Sequence, residues 1–234
     1  MQGDLEQVEA CPAGLVDGVR ERFRGGVTLA IFRQVEALTR AEVMDRTGLS
    51  RSTVNQRIDT LIQAGLITAA TGQAPTRGRP ADRFCFNRDR GVLLVADIGA
   101  TGMRTAVCDV SGQVLIERDV VVDVTQGGPE VLLSTVDDEF DALLAATGRP
   151  RDDVLGIGLD VRGPVDFARG RVVSPPIMNG WDGYDIRARF RRRFECPVLI
   201  EKDVNAMAWG EQRTVYPHVG ELLMLKVGTG VGAG

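Results

Sequence analysis

The feature that most constrains this chain is a pair of helix signals three residues apart. Thr39-Arg40-Ala41-Glu42 reads as a capping box. In it the Thr39 hydroxyl accepts from the Glu42 amide, and the Glu42 carboxylate reaches back to the Thr39 amide. A short helix to about Thr47 is predicted. Gly48 suits the left-handed position that ends a helix, and Ser50 offers a fresh N-cap. Residues 51–64 then predict a second helix, with Val54, Ile58, Leu61 and Ile62 on one face. Ser52, Gln56, Asp59 and Gln63 fall opposite, with Thr53 and Asn55 beside them. Leu29, Phe32, Val35 and Leu38 predict a preceding helix over 27–38. Two helices joined by a short Gly-containing turn form a helix-turn-helix, whose second helix enters the DNA major groove. Arg51, Ser52, Thr53, Asn55 and Gln56 are the chemistry for that: Asn and Gln pair with adenine, Ser and Thr bond several base edges, Arg holds phosphate or guanine. An ordinary helical hairpin with a polar outer face shows the same pattern.

The segment after the second helix favours DNA. Residues 65–67 end the helix and start a strand, and residues 83–87 read as a second, giving a two-stranded wing. Its tip holds Arg77-Gly78-Arg79-Pro80. A flexible Gly between two Arg suits a narrow minor groove, whose negative potential attracts guanidinium groups. The alternative is a solvated basic loop.

Charge divides along the same line. Residues 20–90 hold 13 Arg against 7 acids, residues 1–19 hold 4 acids and no base, and residues 91–234 hold 15 bases against 21 acids. Only the middle block is suited to a polyanion. The expected organisation is an acidic tail over 1–19, a winged helix-turn-helix over 20–90 and an α/β region over 91–234. No uncharged apolar run approaches the roughly 20 residues that span a membrane. The acids Asp4, Glu6 and Glu9 also argue against a secretory signal. Four scattered cysteines form no CxxC pair, so neither a disulfide framework nor a local zinc site is predicted. A cytoplasmic location is expected.

Beyond residue 90, residues 92–122 predict an antiparallel meander, its first turn presenting Asp97, Gly99 and Thr101. Small residues there let backbone amides approach phosphate, and an acid can hold Mg2+ indirectly; a plain β-turn is the alternative. Residues 129–147 predict an amphipathic helix with Val131, Leu132, Val136, Phe140, Leu143 and Leu144 on its apolar face. Strands are predicted at 154–161, 198–200 and 221–227, with a basic helix at 185–194 and another from Asp203 to about Tyr216. Strands alternating with helices, with polar and glycine residues at strand ends, imply an α/β sheet with a cleft at those ends.

The order of these pieces resembles the ROK family (repressors, open reading frames and kinases) within the actin-like sugar-kinase fold. The motifs are Asp97-Ile98-Gly99-Ala100-Thr101, Gly163-Pro164-Val165-Asp166, Asp203-Val204-Asn205-Ala206 and Gly228-Thr229-Gly230-Val231-Gly232-Ala233-Gly234. The winged helix before them is similar to the family's regulator branch. The expected fold is therefore an actin-like α/β lobe preceded by a small α+β winged helix-turn-helix domain. The resemblance implies a first phosphate loop at Asp97, Gly99 and Thr101 and a second at Gly228, Thr229 and Gly230. Asp203 becomes the base that accepts a sugar hydroxyl proton, with Asn179 and Lys202 at the sugar. It also implies Mg-ATP, and a zinc site that would lie beyond residue 234, with no metal ligands in this sequence. The sequence ends inside the second glycine loop, and a truncated lobe is expected.

Three departures weigh against a kinase. Lys202 stands where the family's kinases carry Asn. The Pro-Gly-Pro loop reads Arg162-Gly163-Pro164. The first loop lacks the Lys that follows its Thr, reading Gly102 instead. Lys202 is expected to pair with Asp203 and weaken it as a base, and Asp203 also reads as a plain helix-capping acid. Trp181 reads either as a sugar-stacking platform or as core. The functional expectation is a DNA-binding regulator of carbohydrate metabolism, a repressor, acting on operator DNA as a homodimer or homotetramer and sensing a sugar or sugar phosphate. A glucokinase-like enzyme with an accessory DNA-binding domain is the alternative.

Overall fold

The computed structural model describes residues 26–70, 82–175, 178–228 and 231–234. They fall into two compact units divided between Arg90 and Gly91.

In the first unit, helix α1 spans Gly26–Gln34. Strand β1 (Leu38–Thr39) follows, then α2 (Arg40–Thr47), α3 (Arg51–Gln63), β2 (Ile67–Ala69) and β3 (Arg83–Phe86). The capping box forms: Glu42 N donates to Thr39 Oγ1 at 3.2 Å and Thr39 N to Glu42 Oε2 at 2.7 Å. That backbone bond from Thr39 holds the Glu42 carboxyl below its usual range. Gly48 closes α2 at φ 66, and the Ser50 side chain caps α3. One expectation is corrected. The helix predicted to run to 38 stops at Gln34, because an N-cap must be extended (Thr39 φ −82, ψ 164). Leu38 then pairs with Phe84, and the predicted two-stranded wing becomes a three-stranded sheet, β1-β3-β2. Phe32, Leu38, Val43, Val54, Ile58, Leu61, Ile67 and Phe84 form the core.

The second unit is a five-stranded sheet in the order β10-β7-β4-β5-β6. Strands β4 (Val92–Ile98), β5 (Met103–Asp109) and β6 (Val114–Val120) form the antiparallel meander. Strands β7 (Val154–Val161) and β10 (Val198–Lys202) add in parallel beside β4. On β4 the alternation is strict: Val92, Leu94, Ala96 and Ile98 are buried while Leu93, Val95 and Asp97 face the other side. Helix α4 (Gly128–Thr147) contributes Leu132, Leu133, Val136, Phe140, Leu143 and Leu144 to the core. Each such buried Leu or Phe contributes about 1.5–3 kcal/mol.

Several expectations change here. Val131 is 61% exposed, and Asp137 takes a buried place on α4. Asp137 survives there because Arg189 Nη1 donates to it at 2.6 Å and Arg193 lies at 3.2 Å. The predicted helix over 185–194 is the shorter α5 (Ile186–Arg191), with Asp185 as its N-cap accepting from Ala188 N at 2.8 Å. A small hairpin, β8 (Val165–Asp166) with β9 (Arg171–Val172), precedes it. Helix α6 spans Asp203–Thr214. The strand expected over 221–227 shrinks to β11 (Leu225–Val227). It pairs with β12 (Val231–Ala233) as a separate ribbon outside the five-stranded sheet. Cys85, Cys108 and Cys196 are free thiols.

Candidate functional site

Two sites are built by these elements, one in each unit. On α3, Arg51, Ser52 and Gln56 are exposed, whereas Thr53 and Asn55 are half-buried. The Thr53 hydroxyl lies 2.8 Å from the Ser50 hydroxyl, which is also 3.0 Å from that of Ser52. Asn55 accepts from Arg40 Nη1 at 3.3 Å through both its side-chain and backbone oxygens. The face offered outward is therefore Arg51, Ser52 and Gln56, while Thr53 and Asn55 are engaged within the unit. Arg40, which sequence reasoning passed over, is the residue that engages Asn55. Arg77, Gly78 and Arg79 lie outside the described residues.

In the second unit, the carboxyl ends of the parallel strands gather charged groups. Asp97 and Asp160 are register partners across β4 and β7. Burial, then the charge and hydrogen bond of Asp97 and the charge of Asp203, push the Asp160 carboxyl up to about 8, with Lys226 opposing. Asp203 opens α6, and its Oδ2 accepts from Lys226 Nζ at 2.8 Å. The expected Lys202–Asp203 pairing is corrected. Lys202 is the N-cap of α6, and its Nζ donates to the Ala233 carbonyl at 3.1 Å, so the cation on Asp203 comes from β11. Sequence reasoning missed Asp160 and Lys226. An acid in the strand VLGIGLDV, on the same face as Gly156 and Gly158, is the available signal.

The first loop closes on itself, with Gly99 N donating to the Gly102 carbonyl at 2.9 Å. A Cβ on Gly99 would lie 2.7 Å from that oxygen, so only glycine fits, and Arg162 approaches the same point. Thr101 and Gly228 are exposed, and Thr229 and Gly230 lie outside the described residues. Asn179 is exposed beside the start of α4, its carbonyl 3.8 Å from where a Cβ on Gly128 would stand. Trp181 is fully buried in the core, against Tyr184 at 6.4 Å between ring centroids, which rejects the stacking-platform reading.

Lys226 and Lys202 are engaged by Asp203 and the Ala233 carbonyl. The Gly99 amide is likewise spent within its loop. Among the described residues, no group of three or more His, Cys, Asp or Glu side chains is placed to hold a metal ion. An apolar groove of about 330 Å3 lies on the open face of the sheet, between Val95, Leu199 and Phe167 and the α6 residues Ala206 and Trp209, with Asp160 at its wall. No described helix is long and apolar enough to cross a membrane.

The sequence matches the ROK family over residues 94–234 and a family described as winged helix-turn-helix DNA-binding over residues 30–68. The xylose repressor of Bacillus subtilis is 23% identical over 198 residues, which are 84% of this chain and 50% of that protein. A glucokinase of Streptomyces coelicolor is 27% identical over 149 residues, 62% of this chain and 43% of that protein. The chain thus spans about half the length of the curated relatives it matches. A solved ROK family transcriptional regulator, described as a homolog of the E. coli MLC protein, matches at a TM-score of 0.69 and 23% identity. That match covers 84% of this chain and 50% of the other. At that identity the likeness shows the fold, a winged helix-turn-helix followed by a sugar-kinase-type α/β lobe. The family match runs from β4 to Gly234 and covers more than half of the sequence; the chain belongs to the ROK family.

Proposed function

We propose that this chain is the DNA-binding and lobe-forming part of a transcriptional regulator of carbohydrate metabolism, a repressor that answers to a sugar or sugar-phosphate effector. One observation carries this reading. The helix α3 of a winged helix-turn-helix offers Arg51, Ser52 and Gln56 outward, and its unit precedes a lobe whose Asp203 is ion-paired with Lys226. The relative named xylose repressor, and the solved neighbour described as a ROK family transcriptional regulator, support it. Asn179, Lys202 and Asp203 are the proposed effector contacts. A homodimer or homotetramer would place two α3 helices about 34–36 Å apart on a palindromic operator, one turn of DNA. An effector would act by binding one arrangement of those helices better than the other.

The test is a mobility-shift titration on palindromic fragments from the gene's own upstream region, with and without a panel of pentoses, hexoses and their phosphates. Salt-dependent, sequence-selective binding released by one sugar is expected. Sequence-indifferent binding would overturn the reading. Coupled ATP turnover on hexoses that vanishes in Asp203→Asn would establish a kinase instead.

A further inference from the structure

A second concavity shares no residue with the carboxylate end of the sheet. It encloses about 430 Å3 and is lined by Arg169, Asp185, Arg187, Ala188, Arg191 and Arg192. That volume suits a small organic ligand.

The arginines of this stretch divide by task. Arg189 and Arg193 turn toward α4, where Glu130, Asp137 and Asp141 hold them. Arg187 donates to three carbonyl oxygens: Ala168 at 2.7 Å, Phe167 at 2.8 Å and Val198 at 3.1 Å. It is locked there by the β8–β9 turn, because Gly170, at φ 68, packs so closely that a Cβ would lie 2.8 Å from Arg187 Nε. Two of its five N–H groups are left over. Arg191 and Arg192 are exposed, and among the described residues no hydrogen bond or ion pair reaches either guanidinium.

The local charge is unbalanced. Arg169, Arg187, Arg191 and Arg192 line the concavity with one carboxylate, Asp185, while Arg171 and Asp166 lie beside it and Arg192 also feels the Glu130 charge. Asp166 is taken by Arg169 and Asp185 by Arg171, each at 3.0 Å. Arg187 and Arg191 stand at i and i+4 on α5, a spacing at which like charges repel. Burial, and then the Arg191 charge, push the Arg187 guanidinium below its usual range. A fixed, partly desolvated cation with two exposed ones beside it is the arrangement that binds phosphate through paired N–H donors.

We propose that this pocket binds a phosphate-class oxyanion carried by a small ligand, with Arg191 and Arg192 closing on it over the fixed Arg187. The same chemistry has two sources, free inorganic phosphate and a phosphate ester of a small metabolite. The proposal is independent of the regulatory reading above.

Isothermal titration of the full 234-residue chain, at constant ionic strength, tests it with inorganic phosphate and glucose 6-phosphate as probes and with glucose and KCl as controls. Saturable binding of at least one phosphate probe is expected, weakened about tenfold or more in Arg191→Ala/Arg192→Ala. Arg191→Lys should recover part of it, and Arg118→Ala, on β6 and outside the pocket, should leave it unchanged. Tighter binding of glucose 6-phosphate would support the proposal with the ester as source. Equal affinities would support it with the phosphate group alone. Absence of saturable binding, or binding unaltered in the folded double variant, would overturn it.

Discussion

The Arg40 guanidinium bridges two residues of the next helix, donating through Nη1 to Asn55 Oδ1 at 3.3 Å and through Nη2 to Asp59 Oδ1 at 2.7 Å. It also lies over the Phe84 ring, 5.2 Å from the centroid. One side chain at the start of α2 therefore sets the roll of α3 and touches β3. Asp59 is more than half exposed, so the pair itself contributes little to stability. Orientation of the outward residues is its main consequence. Arg40→Ala should lower thermal stability by less than about 1 kcal/mol yet weaken operator binding about tenfold, roughly 1.4 kcal/mol. Thermal melts and mobility shifts on the same samples check both.

Arg51 and Gln56 should separate by kind of effect. Gln56→Ala is expected to cost about 1–3 kcal/mol at one base position and to relax preference there. Arg51→Ala, if Arg51 holds phosphate, weakens all sequences alike and reduces the salt slope by about one. Titrations at several salt concentrations over single-substitution operator variants read the difference.

Asp160 makes stability fall with rising pH. Its carboxyl is pushed up to about 8 from an ordinary 3.8, so the folded state keeps the proton over that interval while the unfolded state has lost it. The penalty grows from about pH 4 to about pH 8 and is then constant. Asp160→Asn removes it. Relative to the parent, the variant should gain about 2–5 kcal/mol between pH 4 and pH 9. That range takes about 1.4 kcal/mol for each pH unit separating the folded and unfolded carboxyls and allows for relaxation. Urea unfolding at a series of pH values measures this.

Trp181 should behave as core. Its Nε1 is buried with no hydrogen-bond partner among the described residues. Trp181→Ala is expected to cost about 3–5 kcal/mol. Trp181→Phe should cost less, because it also removes an unsatisfied donor. Effector binding per folded molecule should be unchanged in Trp181→Phe.

Thr39→Ala removes the hydroxyl half of the capping box and should destabilise the first unit by about 1 kcal/mol, readable in a thermal melt.

The helix-turn-helix is legible in the sequence because local chemistry decides it. Capping residues, a left-handed glycine and helical spacing are all contained within residues 39–63. The strand at Leu38–Thr39 is not, because it exists only through Phe84 and Arg83, some 45 residues away. The meander and β7 follow from apolar runs and turns. Val131 misleads because neighbouring apolar residues on a helix compete for one face. Asp137 takes a buried position that no pattern of apolar residues announces, since its partners Arg189 and Arg193 come from another element. The site behaves likewise. Asp203 and its loop are visible as motifs, while adjacency in sequence points to the wrong cation for Asp203. Lys226 arrives instead from 23 residues downstream, and long-range pairs of this kind leave no mark in a single sequence.

The strand order β10-β7-β4-β5-β6 also bears on when the carboxylate cluster comes into being. Ladders β4–β5 and β5–β6 join segments adjacent along the chain, so closing them requires only short loops. The β4–β7 ladder must first close a loop holding β5, β6 and α4, and such non-local pairing is entropically slower. Asp97 and Asp160 meet only across that ladder. The repulsion that pushes the Asp160 carboxyl up is therefore absent from the early meander and arises only when β7 joins β4. The weakened acidity of Asp160 is thus itself a sign that the central pairing is complete.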